Sequence, residues 1–351
     1  MRVNATYMRW DHHAQPSGYP RIFDALGTRV TLRWLAPARL PGALSRRLAP
    51  RAQAPMYRTE SLGYEVAVAR KLLRPGGGIC HFLYGEWMLE YLPRLAPPRL
   101  RLGGPVVATF HLSPRRLRRW QPSKQAMLAL DAVVALDPLQ AEYLEKIVGN
   151  GRVFVAHHGV STGFFAPDPR IEYDRHLFLC VGHTSRDFDV FTEVARRVGS
   201  REPRAKFMVV AALHKQPKLA ERLLEQQRAG RIAVHHGLSD EQLRRAYQSA
   251  AALFLPLRDA TANNALMESL ACGTPVVTTD VGGVKYYTGD DAAALRRRDD
   301  VDGMCDDLLD ISRDEERRAA MSGHARKRAV ELDFERAADS LMAVYRQLTD
   351  P

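Results

Sequence analysis

Apolar runs and amphipathic stretches alternate along the chain, the pattern of parallel sheets with helices on both faces. In the first half, four apolar runs predict strands at Ile79–Tyr84, Val106–Phe110, Ala132–Ala135 and Val153–Ala156. Between the last two, Leu139, Tyr143, Leu144 and Ile147 recur at helical spacing and predict a helix over Pro138–Val148. Gly159, Gly163, Pro167 and Pro169 then interrupt any period and mark 157–173 as a linker. A second series opens at Leu177–Gly182 and continues through Lys206–Ala211 and Ile232–His235. Ser239-Asp240-Glu241-Gln242 is a capping box, so a helix runs from there to about Ala250, with a strand at Ala252–Leu255 behind it. The next helix, near Asn264–Ala271, is closed by Gly273 and Pro275, and a strand at Val276–Thr279 follows at once. Near the end, Leu341, Val344, Tyr345 and Leu348 line one face of a long helix over Glu335–Leu348.

This order predicts an α/β fold of two Rossmann-like, doubly wound domains. Length agrees, since 351 residues at about 150 per domain make two. The expected boundaries are 1–157 and 158–334, with the helix in 335–351 packing back onto the N-terminal domain. Doubly wound sheets take ligands at the carboxyl ends of their strands, so the site is expected in a cleft between the two domains.

Composition narrows the class. Hydrophobic residues are 46% and charged residues 26%, which excludes disorder and coiled coil. No apolar run approaches the roughly 20 residues that span a bilayer. The first residues, with Asp11, His12 and His13 close behind, do not read as a signal segment. Cys80, Cys180, Cys272 and Cys305 are too scattered for a zinc knuckle or a disulfide scaffold. The expectation is a cytoplasmic, reduced, soluble protein.

Charge changes the picture. The net charge is +11, and residues 1–155 carry 23 Lys and Arg against 10 Asp and Glu, while the remainder is nearly balanced, 28 against 30. The basic half therefore points to an anionic partner: nucleic acid, a membrane surface or a phosphorylated substrate.

Several motif matches fail on context. Gly159-Val160-Ser161-Thr162-Gly163 fits the nucleophile elbow, but the following Phe164-Phe165-Ala166-Pro167 cannot supply the helix that motif needs. Asp187-Phe188-Asp189 fits a metal-binding D-x-D, yet it opens a helix, where acidic residues are stabilised anyway. His12-His13, His157-His158 and His235-His236 are adjacent pairs, which on a strand point to opposite faces and rarely chelate one metal. No Gly-rich dinucleotide fingerprint and no P-loop occurs. No metal ligand set is expected.

The informative run is Leu253 to Val277: strand, polar loop, short helix, strand. The helix start near Asn263 and Asn264 offers free N–H groups, a ready anion site. Glu268, about one turn on, suits the paired hydroxyls of a ribose.

This arrangement resembles the retaining glycosyltransferases of the GT-B fold, family 4, over nearly the whole chain. Leu179 to Phe188 is similar to the family's strand ending in Gly-Arg and then Lys-Gly. Val155 to Ser161, with Phe165 and Pro167, resembles its Asn-Gly-Val-Asp linker. Val106 to His111 is similar to the acceptor-side strand of phosphatidylinositol mannosyltransferases and their relatives. The resemblance implies that Glu268 holds the nucleotide ribose, as the second Glu of the family's E-x7-E motif. It implies that Arg186 neutralises the donor diphosphate, with His183 in place of a helping Arg, and that His111 lies beside the reacting sugar. Gly18, in Ser17-Gly18-Tyr19-Pro20, resembles the glycine-rich loop near the donor phosphates. One departure stands out: the first Glu of E-x7-E falls on Ala260, so either Asp259 or Asn263 takes over its contacts to the donor sugar or those contacts are missing.

The expected reaction is metal-independent and needs no cofactor. A sugar passes from a nucleoside diphosphate sugar to an acceptor held by the basic N-terminal domain, with retention at the anomeric carbon. Arg115, Arg116, Arg118 and Arg119 follow His111 closely and are candidates for capturing an anionic, lipid-linked or small-molecule acceptor. With Leu117 and Trp120 they also suit peripheral contact with the inner membrane face. Two other readings compete: a GT-B nucleotide-sugar 2-epimerase, and a basic nucleic-acid-binding protein. The second is weakened because the charges are not interleaved with stacking aromatics, so no nucleic acid is expected.

Overall fold

A computed structural model describes residues 1–8, 16–212, 217–228, 230 and 232–349, without the side chains of residues 44, 45, 217–219 and 222. His12 and His13 lie outside the described residues. The chain forms two compact units. One is Met1–Asp11, Tyr19–His158 and Phe334–Pro351; the other is His12–Gly18 and Gly159–Asp333.

The first unit is built on a six-stranded sheet with strands β1 (Arg2–Thr6), β2 (Thr31–Trp34), β3 (Ile79–Phe82), β4 (Val106–Thr109), β5 (Ala132–Ala135) and β6 (Val153–Val155). Their order is β2-β1-β3-β4-β5-β6, and every pair is parallel. Strands β3, β4 and β5 are buried at every position, which is why they read as continuous apolar runs. Strand β1 carries polar Asn4 and Thr6 at buried positions, and Asn4 Nδ2 donates to the carbonyl of Ile79 at 3.4 Å. The winding reverses between β1 and β3, beyond Thr6 and Phe82, the kind of edge at which doubly wound sheets take ligands.

The second unit repeats the scheme with β7 (Asp174–Val181), β8 (Lys206–Val210), β9 (Ile232–His235), β10 (Ala250–Leu255), β11 (Val276–Thr279) and β12 (Ala294–Arg296). Its order is β12-β11-β10-β7-β8-β9, again all parallel. The reversal falls between β7 and β10. Phe178, Phe191, Phe207 and Phe254 are buried between sheet and helices, with neighbouring rings 5.2–5.8 Å apart.

Helix ends follow their sequence signals. Ser239 caps the helix Asp240–Ser249, and Gln242 reaches back to its N–H at 2.8 Å. Asp137 caps Pro138–Val148. The last helix, Phe334–Thr349, belongs to the first unit, where Tyr345 is fully buried and its hydroxyl meets His81 Nδ1 at 2.5 Å. Four cysteines are buried and free. None of the described helices is long and apolar enough to cross a membrane.

Candidate functional site

In the second unit the loops after β7 and β10 are tied together at the switch point. Asp187 N–H donates to the Pro256 carbonyl at 2.8 Å, and Arg258 N–H to that of Ser185 at 2.9 Å. The Thr279 hydroxyl accepts from the Leu257 N–H and donates to its carbonyl. Two backbone positions make the geometry possible. Gly182 has φ +82°, and a Cβ there would lie 2.8 Å from Arg186 Nη2. Gly282 has φ +53°, and a Cβ there would overlap the Ala260 carbonyl at 1.9 Å.

Arg186 folds back over the space Gly182 leaves. Its guanidinium donates to the carbonyls of Val181 at 2.7 and 3.0 Å and of Thr184 at 2.8 Å, and to Asn263 Oδ1 at 3.4 Å. Burial pulls its pKa down, opposed by neighbours that include Glu268. Among the described residues it makes no ion pair with a carboxylate. Its neighbours Arg258 and Arg298 do: both hold the buried Asp187, and Arg258 also reaches Asp189 at 2.6 Å. Burial pushes the Asp187 carboxyl up, but the bonds from Arg258 and Arg298 win and hold it below its usual value. Asp187 also caps the helix Phe188–Arg201.

Asn263 caps the helix Asn264–Ala271, accepting the Leu266 N–H at 3.3 Å. Glu268 on this helix is 3% exposed. Its oxygens accept from the Ser17 hydroxyl and, at 2.8 Å, from Tyr247. Burial raises its pKa, and these two bonds oppose the rise. Asn264 Nδ2 lies 3.4 Å from the Ser17 carbonyl, so the segment carrying Gly18 meets the start of the same helix. His183 and Asp259 are half-buried in the two tied loops. Arg186, Glu268, Asn263, Asn264 and Gly18 thus share one neighbourhood. Ser17 and Tyr247 were not anticipated; a lone Ser and a helix Tyr carry no sequence signal for such a role.

In the first unit His111 follows β4. Gln140 holds the segment from both sides, donating to the carbonyls of Phe110 at 3.0 Å and Leu112 at 2.8 Å. The His111 N–H donates to Glu86 Oε1 at 3.1 Å. Its ring sits between Tyr19 and Tyr84, with centroids 4.7 and 4.4 Å away. Tyr84 and Glu86 are further additions to the sequence reading.

The basic cluster lies on the short helix Pro114–Trp120. Arg115, Arg118 and Arg119 are exposed, and the half-buried Arg116 lies over the Trp120 ring at 4.5 Å. Leu117, expected to add contact at a membrane, is instead fully buried. The helix turns its one aliphatic side chain into the core and leaves charge outside.

Residues 175–314 match the family model described as Glycosyl transferases group 1. The D-inositol 3-phosphate glycosyltransferase of Nocardiopsis dassonvillei is 24% identical over 286 residues, 72% of this chain and 67% of that protein. The phosphatidyl-myo-inositol mannosyltransferase of Mycolicibacterium smegmatis is 27% identical over 261 residues, 69% of this chain and 65% of that protein. The α,α-trehalose-phosphate synthase (UDP-forming) of Burkholderia vietnamiensis superposes with a TM-score of 0.73 at 16% identity, covering 99% of this chain and 98% of that one. The fold is therefore GT-B. These matches are to transferases and favour neither the epimerase nor the nucleic-acid reading.

Proposed function

We propose, from the match of residues 175–314 to the family model described as Glycosyl transferases group 1, that the chain moves a sugar from a nucleoside diphosphate sugar to an acceptor on its basic N-terminal unit, with retention at the anomeric carbon. The observation that carries the donor is Arg186, a guanidinium crowned by carbonyls and, among the described residues, held without a carboxylate ion pair. It lies beside the start of the helix Asn264–Ala271, where its group donates to Asn263 Oδ1 at 3.4 Å. In this reading the donor diphosphate rests on Arg186 and the N–H groups at that helix start. Glu268 holds the ribose, and His183, Asp259 and Asn263 complete the donor contacts. His111 faces the reacting sugar.

The bond from the anomeric carbon to the diphosphate oxygen breaks, a bond to the acceptor oxygen forms on the same face, and the acceptor hydroxyl's proton passes to the departing diphosphate. The departing diphosphate gains charge in the transition state. Preorganised donors stabilise that charge without reorganisation, so the reaction runs without a metal or other cofactor. The acceptor is anionic, lipid-linked or small, drawn by Arg115, Arg116, Arg118 and Arg119, at the inner face of the membrane in the cytoplasm.

A thermal-shift screen against UDP-, GDP- and ADP-sugars tests the reading. A donor at 100 times its Kd adds about 2.7 kcal/mol of stability. Arg186→Ala is expected to lower turnover on the order of 100-fold, and proton NMR of the product reads the anomeric configuration. Wild-type turnover in Arg186→Ala, or an inverted product, would overturn it.

A further inference from the structure

The first unit holds two buried carboxylates in contrasting surroundings. Glu65 is saturated: it accepts from the Tyr57 hydroxyl and from the N–H groups of Glu90, Tyr91 and Leu92 at 2.7, 3.0 and 2.8 Å. Glu86, 0% exposed, has Oε1 on the His111 N–H and 3.6 Å from His111 Nδ1, but Oε2 has no hydrogen-bond partner among the described residues. Beside it, the Tyr84 hydroxyl and both His111 ring nitrogens are also buried and, among the described residues, without a hydrogen bond. Among the described residues no arginine or lysine pairs with Glu86. Buried polar atoms in folded proteins are nearly always bonded, and an unmet charged oxygen is the costliest kind. Four such atoms gather at the C-terminal ends of β3 and β4, the edge where doubly wound sheets take ligands.

We propose that Tyr84 and Glu86, with His111, bind hydroxyl groups of the acceptor, which is therefore a neutral polyol at its reacting end. This rests on the glycosyl-transfer reading. A carboxylate oxygen can only accept, so Oε2 requires an O–H or N–H donor. A phosphate there meets a negative charge that no arginine or lysine among the described residues offsets, and an alkyl group leaves the oxygen unmet. A pair of neighbouring hydroxyls satisfies all three side chains: one donates to Glu86 Oε2, the other bridges the Tyr84 hydroxyl and the His111 ring. The rings are already fixed for this, since Tyr84 stacks on Trp87 at 5.3 Å and Tyr19 meets His111 edge-on. Any phosphate on the acceptor lies beyond this pocket.

Saturation-transfer NMR on myo-inositol and glycerol, with propan-1-ol as the single-hydroxyl control, reads the pocket without any donor. Wild type is expected to bind both polyols and not the control. Glu86→Gln and Tyr84→Phe are expected to weaken polyol binding at least tenfold and to raise KM for the polyol in nucleoside diphosphate release from the donor. Donor affinity stays unchanged, and Tm is equal or higher for Glu86→Gln, which removes an unmet buried charge. Equal polyol binding by both variants, no polyol binding by wild type, or equal response to propan-1-ol overturns the proposal. Polyol binding without any response to nucleotide sugars would sink the glycosyl-transfer reading instead and leave the pocket standing.

Discussion

The hydroxyl of Tyr247 donates to Glu268 Oε2 at 2.8 Å from a neighbouring helix, 21 residues away in sequence. With Ser17 on the other oxygen, the carboxylate is fixed from both sides. A ligand hydroxyl meets an oriented acceptor and loses little entropy in doing so.

Glu268→Ala is accordingly expected to weaken nucleotide-sugar binding by about 1.5–3 kcal/mol, the range for hydrogen bonds to charged groups. Tyr247→Phe frees the carboxylate without deleting it and should cost about 1 kcal/mol. Isothermal titration reads both. Unchanged affinity in both variants would move the ribose elsewhere.

Asp187 is committed to Arg258, Arg298 and the N-cap of its helix. Activity is therefore expected to survive exhaustive EDTA treatment. Asp187→Ala should instead lower stability by about 1–2 kcal/mol from the lost cap, measured by urea unfolding. Activity abolished by EDTA and restored by Mn²⁺ would return Asp187 and Asp189 to metal binding.

Glu65 gives a pH signature. Burial raises its carboxyl to about 7, against the opposing bonds from Tyr57 and three backbone N–H groups. A raised carboxyl contributes stability that is complete below its unfolded pKa of 4.5 and is lost as pH climbs to about 7. The loss is on the order of 3 kcal/mol at 1.36 kcal/mol per unit. Glu65→Gln does not titrate. The stability difference between wild type and this variant, from urea midpoints, should narrow in the wild type's disfavour by that amount between pH 4.5 and 7.5. A flat difference contradicts the shift.

The arginines of Pro114–Trp120 predict weak membrane association. At about 1 kcal/mol for each basic residue near an anionic surface, four give roughly 4 kcal/mol. Liposomes with anionic lipid should co-sediment wild type and release a variant with all four changed to Ser. Equal sedimentation, together with an unchanged acceptor KM, assigns the cluster to the solvated surface.

Much of the second unit was legible because its signals are local. The capping box at Ser239, the stop at Gly273 and the buried runs at β10 and β11 each lie within a few residues. Strand β1 was not legible: Asn4 and Thr6 break its apolar run, and the Ile79 carbonyl that accepts from Asn4 lies 75 residues on. The helix Glu315–Glu331 escaped too, since its buried face is only Ala325 and Ala329. Candidate site residues followed the same rule. Arg186 and Glu268 sit in runs with a recognisable grammar. Ser17, Tyr84 and Glu86 acquire meaning only from partners that the fold brings to them.

The return of the last helix to the first unit orders events during synthesis. Residues 159–333 are complete while Phe334–Thr349 is still being translated. Domains generally fold as units when their chain is available. The first unit therefore waits longer, because Tyr345, the partner of His81, is translated only after residues 159–333. The half of the molecule written first is finished second.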